Sequence, residues 1–100
     1  MLRSLFFNDS EIKERLAFLP EWQYLEKELY RKFSFPNFIR AMSFCMAVAL
    51  EAERQGHHPV WKNDHNIVEI WVSTNDPDKG ITESDFKLAN AIEGYSFLFR

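Results

Sequence analysis

Three histidines, His57, His58 and His65, lie within nine residues and are the side chains of this sequence best suited to proton transfer. An imidazole has an unperturbed pKa of about 6.5, so it can donate or accept a proton near neutral pH. Because His58 precedes Pro59, it is biased to an extended conformation, and the adjacent histidines should project in different directions. One could act on a ligand while the other orients or binds it. The alternative is that both terminate a helix, where an imidazolium interacts favourably with the helix dipole.

A metal site built from Glu53, His57 and His65 is a second interpretation, because Glu53 and His57 would lie one turn apart on a helix. The spacing matches no compact zinc signature, and the chain has neither an HExxH sequence nor more than one cysteine. That cysteine, Cys45, has apolar neighbours that predict a buried, inert thiol. The sequence therefore favours proton-transfer chemistry over metal chemistry.

Two other classes of site are disfavoured by the composition. Phosphate-binding loops need clustered glycines, and the three glycines of this chain stand far apart. A serine nucleophile needs a base and an orienting acid around a strained turn, and Ser73, Ser84 and Ser96 stand in no such context. Neither a nucleotide loop nor a hydrolase triad is expected.

The tryptophans Trp22, Trp61 and Trp71 are most simply hydrophobic mass for the core and the faces of a sheet. Trp61 is the exception to watch, because it closely follows the His-His-Pro segment. It could form one wall of a pocket for a flat heterocycle.

Hydrophobic periodicity predicts the first elements that must position these side chains. A capping box that begins at Asn8 and apolar residues at helical spacing predict a short helix, which Pro20 ends. In residues 21–35 apolar and polar residues alternate, which predicts a β-hairpin with a turn at 26–27. Arg31 interrupts the apolar face of this hairpin.

A long helix should follow, with Ser34 as its N-cap and Gly56 as its stop. Its buried stripe runs from Phe38 to Ala52 at helical spacing. The other side of the helix also carries apolar residues, namely Ile39, Met46 and Leu50. This is more apolar surface than a helix on one face of a sheet should expose, so we expect a partner subunit to cover it in a homo-oligomer, either a dimer or a tetramer.

Residues 60–65 and 67–74 predict a second hairpin that turns near Asn66. Thr82 then begins a last helix with Asp85 at its third position. The order α-β-β-α-β-β-α predicts an α+β fold, a four-stranded antiparallel sheet with helices packed on one face. The opposite face must be solvated or carry function.

The length and the charge set limits on partners. One hundred residues suffice for a single domain over 1–100 but not for two. The longest uncharged run has ten residues, Ala41 to Leu50, too few for a membrane span, and no signal peptide is recognisable, so the expected compartment is the cytoplasm. Twelve basic and fifteen acidic residues, with no basic patch, make a direct nucleic-acid ligand unexpected.

Three segments carry a specific resemblance to a known family. Residues 53–61 are Glu-Arg-Gln-Gly-His-His-Pro-Val-Trp, residues 73–76 are Ser-Thr-Asn-Asp, and residues 80–85 are Gly-Ile-Thr-Glu-Ser-Asp. They resemble pterin-4a-carbinolamine dehydratase, also called 4a-hydroxytetrahydrobiopterin dehydratase, and the likeness covers about residues 8 to 95. The family fold, a four-stranded antiparallel sheet with helices on one side, agrees with the predicted order of elements.

The resemblance implies a reaction and a set of site residues. The reaction is loss of water from the 4a-carbinolamine of a tetrahydropterin to give the quinonoid dihydropterin, in tetrahydrobiopterin recycling, with no metal or redox cofactor. By resemblance His57 is the leading acid–base group, and His58 is the pterin-binding and secondary proton-transfer group. The resemblance assigns substrate binding or orientation to Glu53, Pro59, Trp61, Asn75 and Asp85.

Two positions depart from the family motif. The motif usually has tyrosine where this chain has His65, and His or Trp where it has Asn75. Asparagine donates and accepts hydrogen bonds but cannot shuttle a proton. The competing interpretation is a non-catalytic or weakly catalytic pterin-binding or dimerisation module that keeps the fold, since animal members of the family also act as dimerisation cofactors of a homeodomain transcription factor.

Overall fold

The fold is a four-stranded antiparallel sheet with three helices, seen in a computed structural model that describes residues 5–75 and 78–100. In chain order the elements are α1 (Asp9–Leu16), β1 (Gln23–Leu25), β2 (Glu28–Ser34), α2 (Phe38–Gln55), β3 (Val60–Asp64), β4 (Ile67–Val72) and α3 (Glu83–Ser96). The strands lie in the order β1-β2-β4-β3. The predicted fold class and order of elements are confirmed.

The two central strands, β2 and β4, form the floor on which α2 and α3 pack. Leu29 pairs with Val72 and Phe33 with Val68, and these side chains are buried on the same face as Ile70. Residues between them in sequence point to the opposite face, because successive side chains of a strand alternate. The buried side chains of the described residues form one hydrophobic cluster between the sheet and the helices.

The start of α2 differs from the sequence prediction. Ser34 is the last residue of β2, where it pairs with Ile67, so it is not the N-cap. The N-cap is Asn37, whose Oδ1 accepts a hydrogen bond from the backbone N–H of Arg40 at 2.9 Å. The prediction was wrong because the strand continues through a residue type that also suits a cap. The helix ends as expected, with Gly56 at φ 67°.

Both hairpins turn where the alternation of the sequence places the turn. Glu26 and Lys27, between β1 and β2, have φ values of 51° and 64°, which is the left-handed region needed by a two-residue hairpin turn. His65 and Asn66 join β3 to β4, and His65 has a φ of 55°. The turn position of His65 places its side chain at the far end of β3 from the end of α2.

The outer side of α2 exposes the apolar residues that the sequence marked as excess. Ile39, Met46 and Leu50 are 70%, 61% and 68% exposed in the single chain. Across residues 5–75 and 78–100, no helix combines the length and the apolar character that crossing a bilayer requires.

Candidate active site

His57 is positioned by the C-terminal end of α2. Gly56 adopts the left-handed conformation there, and its backbone N–H bonds to Glu53 O at 3.2 Å. The backbone N–H of His57 bonds to Ala52 O at 3.1 Å, which closes the helix with the paired bonds of a glycine C-cap. Since these bonds fix the backbone on both sides of the helix end, the His57 side chain leaves α2 in a defined direction.

The His57 side chain meets the carboxylate of Asp85. His57 Nε2 donates to Asp85 Oδ1 at 2.6 Å, and Asp85 is fully buried while His57 is about one-fifth exposed. Nδ1 of His57 has no hydrogen-bond partner among the residues that the structure describes. A carboxylate that accepts from one ring nitrogen fixes the tautomer and leaves the other nitrogen to accept a proton. The pair can therefore act as an oriented acid–base group.

Two threonines hold Asp85 in place for this contact. Thr74 Oγ1 and the backbone N–H of Thr82 each donate to Asp85 Oδ2 at 2.8 Å, and the two hydroxyl oxygens lie 3.0 Å apart. Asp85 thus receives hydrogen bonds on both carboxylate oxygens, which offsets the cost of burying its charge. The sequence predicted Thr82 and Asp85 correctly as a helix start, but nothing in it indicated that this start supports His57.

An open cavity of about 280 Å³ adjoins His57. This is close to the smaller pockets that bind small molecules in proteins. Its walls are polar on the side of the threonines and apolar where the N-terminal segment crosses it. The lining residues are Leu5, Phe6, His57, Thr74, Thr82, Glu83 and Ser84.

His58 points away from this cavity. Its Nε2 lies 2.9 Å from Glu53 Oε1, and both side chains are mostly exposed, at 65% and 81%. The two adjacent histidines thus diverge, as the proline after them predicted. Pro59, half-buried, follows His58 directly and leads into β3.

Asn75 lies three residues after β4, next to the cavity residue Thr74 in the chain. It is exposed, and Asp76 and Pro77 after it lie outside the described residues. Its predicted role in substrate binding stays a prediction.

Trp61 does not join His57 at the cavity. It pairs with Ile70 and faces α2, where it borders a separate cavity of about 140 Å³. The other residues around that cavity are Met42, Cys45, Met46, Ala49 and Asn63. Because alternate residues of β3 face opposite sides, Trp61 is turned toward α2. Cys45 is buried as predicted, and burial raises the pKa of its thiol.

The structure does not assemble Glu53, His57 and His65 into a metal site. His65 follows β3, and a five-residue strand spans about 17 Å. The His65 ring instead stacks on the Phe38 ring, with the ring centres 6.4 Å apart. Within 5–75 and 78–100, no group of three or more His, Cys, Asp or Glu side chains is placed to hold a metal ion.

Of the seven residues that line the cavity, the sequence assigned only His57 to the site, and the other six were missed. Thr74 and Thr82 were noted only as part of a resemblance and as a helix cap, and Leu5 and Phe6 were not considered. No local pattern in the sequence pointed to these residues, because the close approach of Phe6 to Gly80 appears only in the fold. Backbone pairing of Gly80 with Thr74, at 2.8 and 2.9 Å, now places that glycine beside the cavity.

The sequence also matches known proteins over most of its length. The sequence model of the family described as "Pterin 4 alpha carbinolamine dehydratase" matches residues 6–95. A relative from Christiangramia forsetii, named "Putative pterin-4-alpha-carbinolamine dehydratase", is 45% identical over 86 residues, which cover 86% of this chain and 88% of the relative. A relative of the same name from Rhodospirillum rubrum is 41% identical, over 86% of this chain and 91% of its own length.

Two solved structures are similar in fold. The crystal structure of a "transcriptional coactivator/pterin dehydratase" from Brucella melitensis superposes with a TM-score of 0.86 at 33% identity, over 91% of this chain and 98% of that one. A "pterin dehydratase-like protein" described as a RuBisCO assembly factor in the alpha-carboxysome has a TM-score of 0.66 at 20% identity, over 76% and 89% of the two chains, and shares the fold alone. From the match over residues 6–95 and the identities of 41–45%, the chain belongs to the pterin 4 alpha carbinolamine dehydratase family.

Proposed function

We propose that this chain, acting as one domain in the cytoplasm, dehydrates 4a-hydroxytetrahydropterin to the quinonoid dihydropterin in tetrahydrobiopterin recycling. The observation that carries the proposal is the His57–Asp85 pair beside a cavity, in a chain of this family. The proposal needs no metal, redox cofactor, nucleic acid or membrane.

The chemistry requires one proton to arrive and one to leave. The C4a–O bond breaks, the departing hydroxyl gains a proton to become water, and the neighbouring ring nitrogen loses a proton as the C=N bond forms. Nδ1 of His57 can accept or return a proton, and Asp85 stabilises the imidazolium that forms in between. The family resemblance makes His58 the proposed second proton-transfer and binding group, although in the single chain it lies outside the cavity and contacts only the exposed Glu53.

The proposal is tested by the rate of carbinolamine dehydration over the spontaneous rate. The 4a-hydroxytetrahydropterin is generated in the assay by a pterin-dependent hydroxylase, and appearance of the quinonoid product is followed by absorbance at pH 6–8. An enzyme should accelerate the reaction in proportion to its concentration. A rate equal to the spontaneous one, together with binding of a stable dihydropterin by titration, would instead support the binding-module alternative.

Of the two positions that depart from the family motif, Asn75 is the one that should affect the dehydration rate most. If it occupies the family's histidine position, one proton-transfer route is lost, and Asn75→His should raise the dehydration rate up to about 10-fold. The gain is at the low end for an acid–base group because the surroundings have not been selected to orient the new imidazole. The rate is measured at pH 6–8 for the single variant and for a double variant with His65→Tyr.

The rival explanation is that His65 has taken over this proton transfer. Under that rival, His65→Tyr alone abolishes most activity and Asn75→His adds little. The position of His65 at the far turn of the β3–β4 hairpin disfavours transfer within one chain. Unchanged rates in all three variants would contradict a role for either position.

We infer further that two copies of the chain pack through the outer side of α2. Its exposed apolar residues form one stripe at helical spacing, namely Ile39, Met42, Met46 and Leu50. A second copy is the occupant that fits, because a two-fold interface brings the same apolar stripe to both sides and buries it without charged partners. A stripe of this length left in water would be an unusual exposed patch for a monomer.

Met46→Glu is therefore expected to dissociate the oligomer, because it buries a charge in the proposed interface. Sedimentation velocity at micromolar concentration should show the mass fall to that of a smaller species. Ser10→Glu is the matched control, since it adds the same charge on the exposed side of α1 and should leave the mass unchanged. A monomeric wild-type protein would refute the inference.

A further inference from the structure

We propose that Phe6 is a substrate-binding residue, with its ring as the apolar wall against which the bicyclic pterin packs opposite the polar His57 side. The inference deepens the proposed function and rests on it. Nothing in the pterin chemistry or in the histidine motif assigns a role to the segment before α1. The geometry of the N-terminal residues carries the proposal.

The segment is held across the site by its neighbour Phe7. The backbone N–H of Phe7 donates to Ile81 O at 2.8 Å, which ties the chain to the residue before the cap of α3. The Phe7 ring stacks on Phe86 with ring centres 5.8 Å apart. The Arg15 guanidinium lies over both rings, at 5.4 and 4.8 Å, and makes a double hydrogen bond to Glu83 at 2.8 Å. These contacts fix where Phe6 lies.

Gly80 supplies independent evidence that Phe6 is packed in place. A Cβ built on Gly80 would lie 2.7 Å from Cδ1 and 3.1 Å from Cε1 of Phe6, closer than ordinary contacts allow. The absence of a side chain at position 80 therefore makes room for the Phe6 ring. Since Gly80 is paired with Thr74, the ring sits on the same loop that supplies the support for Asp85.

The arrangement gives the cavity two chemically different walls. His57, Thr74 and Thr82 offer hydrogen-bonding groups, whereas Leu5 and Phe6 offer only apolar surface. A pterin needs both, because its ring edges carry hydrogen-bond donors and acceptors while the face away from the 4a-hydroxyl is weakly solvated. An aromatic ring packed against such a face adds affinity beyond that of the area that it buries. Phe6 has no proton to transfer, so it should act on affinity alone.

Phe6→Ala is expected to raise KM for the 4a-hydroxytetrahydropterin about 10-fold, with kcat within about twofold of wild type and the same pH profile. Phe6→Leu keeps apolar volume but loses the ring, and should raise KM about threefold. Phe18→Ala is the matched control, because that phenylalanine is 82% exposed and does not border the cavity. It should leave KM unchanged.

A double-mutant cycle tests the packing directly. Gly80→Ala alone should raise KM by displacing the Phe6 ring, whereas in the Phe6→Ala background it should add little, because the ring that it displaces is gone. Additive effects would contradict the assignment. An unchanged KM in Phe6→Ala, or a loss confined to kcat, would also overturn it.

Binding of 7,8-dihydrobiopterin, followed by calorimetry, separates this inference from the proposed function. If wild type binds the pterin but does not accelerate dehydration, the proposed dehydratase function is wrong. About 10-fold weaker binding by Phe6→Ala would then still support the role of Phe6 as a pterin-binding wall. If wild type catalyses dehydration and Phe6→Ala binds and turns over like wild type, the function stands and this inference fails. Circular dichroism confirms that each variant is folded before binding is compared.

Discussion

Replacing His57 with alanine is expected to reduce the dehydration rate by about 100-fold or more without unfolding the domain. The substitution removes the ring whose Nε2 is oriented by Asp85 and whose Nδ1 is free to exchange a proton with a ligand. A positioned acid–base group contributes about 10²–10⁴-fold, and His58, which pairs with the exposed Glu53, is too loosely held to replace it. The measurement is the rate above the spontaneous reaction at pH 7.

Folding must be shown to survive this substitution. His57 is partly exposed and outside the hydrophobic cluster, so the helix content should stay close to that of wild type, whereas the loss of the partner of Asp85 Oδ1 should lower the thermal midpoint without unfolding the domain at 25 °C. Lys87→Ala, on the exposed side of α3, is a control that should keep the full rate. Equal rates for wild type and His57→Ala would refute the assignment of His57.

The sequence predicted the elements well because their signals are local. A cap, a proline, a glycine stop or an alternation of apolar residues acts within a few residues, and the helix C-cap at Gly56 and the turn at 26–27 were found in this way. The start of α2 was misplaced by three residues, from Asn37 to Ser34. Whether a strand continues through Ser34 depends on its pairing with Ile67, which no local pattern reveals.

The site residues were predicted from a family resemblance, but the contacts between them were not predicted. His57 and Asp85 are 28 residues apart, and their contact depends on how α2 and α3 pack against one sheet. The same packing turns Trp61 toward α2, away from the histidine that it follows closely in sequence. Nearness along the chain was thus a poor guide for Trp61, because the alternation of side chains along β3 decides which face of the sheet it lies on.

Arg31 is a charged residue on the helix-facing side of the sheet whose partner the sequence did not reveal. The sequence marked it only as a break in an apolar face, but the structure gives it a partner on α3. Arg31 donates to both carboxylate oxygens of Glu93 at 3.1 and 3.2 Å, and its guanidinium lies 4.1 Å from the centre of the Phe33 ring. The break in the pattern is therefore a largely buried ion pair that joins the sheet to α3.

Glu93 is the centre of a small network. Its Oε1 also accepts from Trp22 Nε1 at 2.8 Å, and its Oε2 accepts from Arg100 at 2.9 Å. Burial acts to raise the pKa of Glu93, but the hydrogen bonds from Arg31 and Trp22 outweigh it, so the pKa lies below its usual range. A lowered folded-state pKa means that the network stabilises the fold above the pKa of the unfolded chain and that this contribution is lost as the pH falls.

Glu93→Ala is expected to lower the free energy of unfolding at pH 7 by about 3 kcal/mol. The substitution leaves the Arg31 charge and the Trp22 N–H without their shared acceptor. The site is shielded from water, since the Arg31 and Glu93 side chains are only 12% and 18% exposed. Urea unfolding at one protein concentration measures the loss, which should shrink as the pH is lowered through the acidic range where wild type loses the same interaction. Glu83→Ala is the matched control. It also breaks a double hydrogen bond to an arginine, but Glu83 is 68% exposed, so the expected cost is at most about 1 kcal/mol. Equal losses in the two variants would show that Glu93 contributes no more than a surface ion pair and that burial does not strengthen the network.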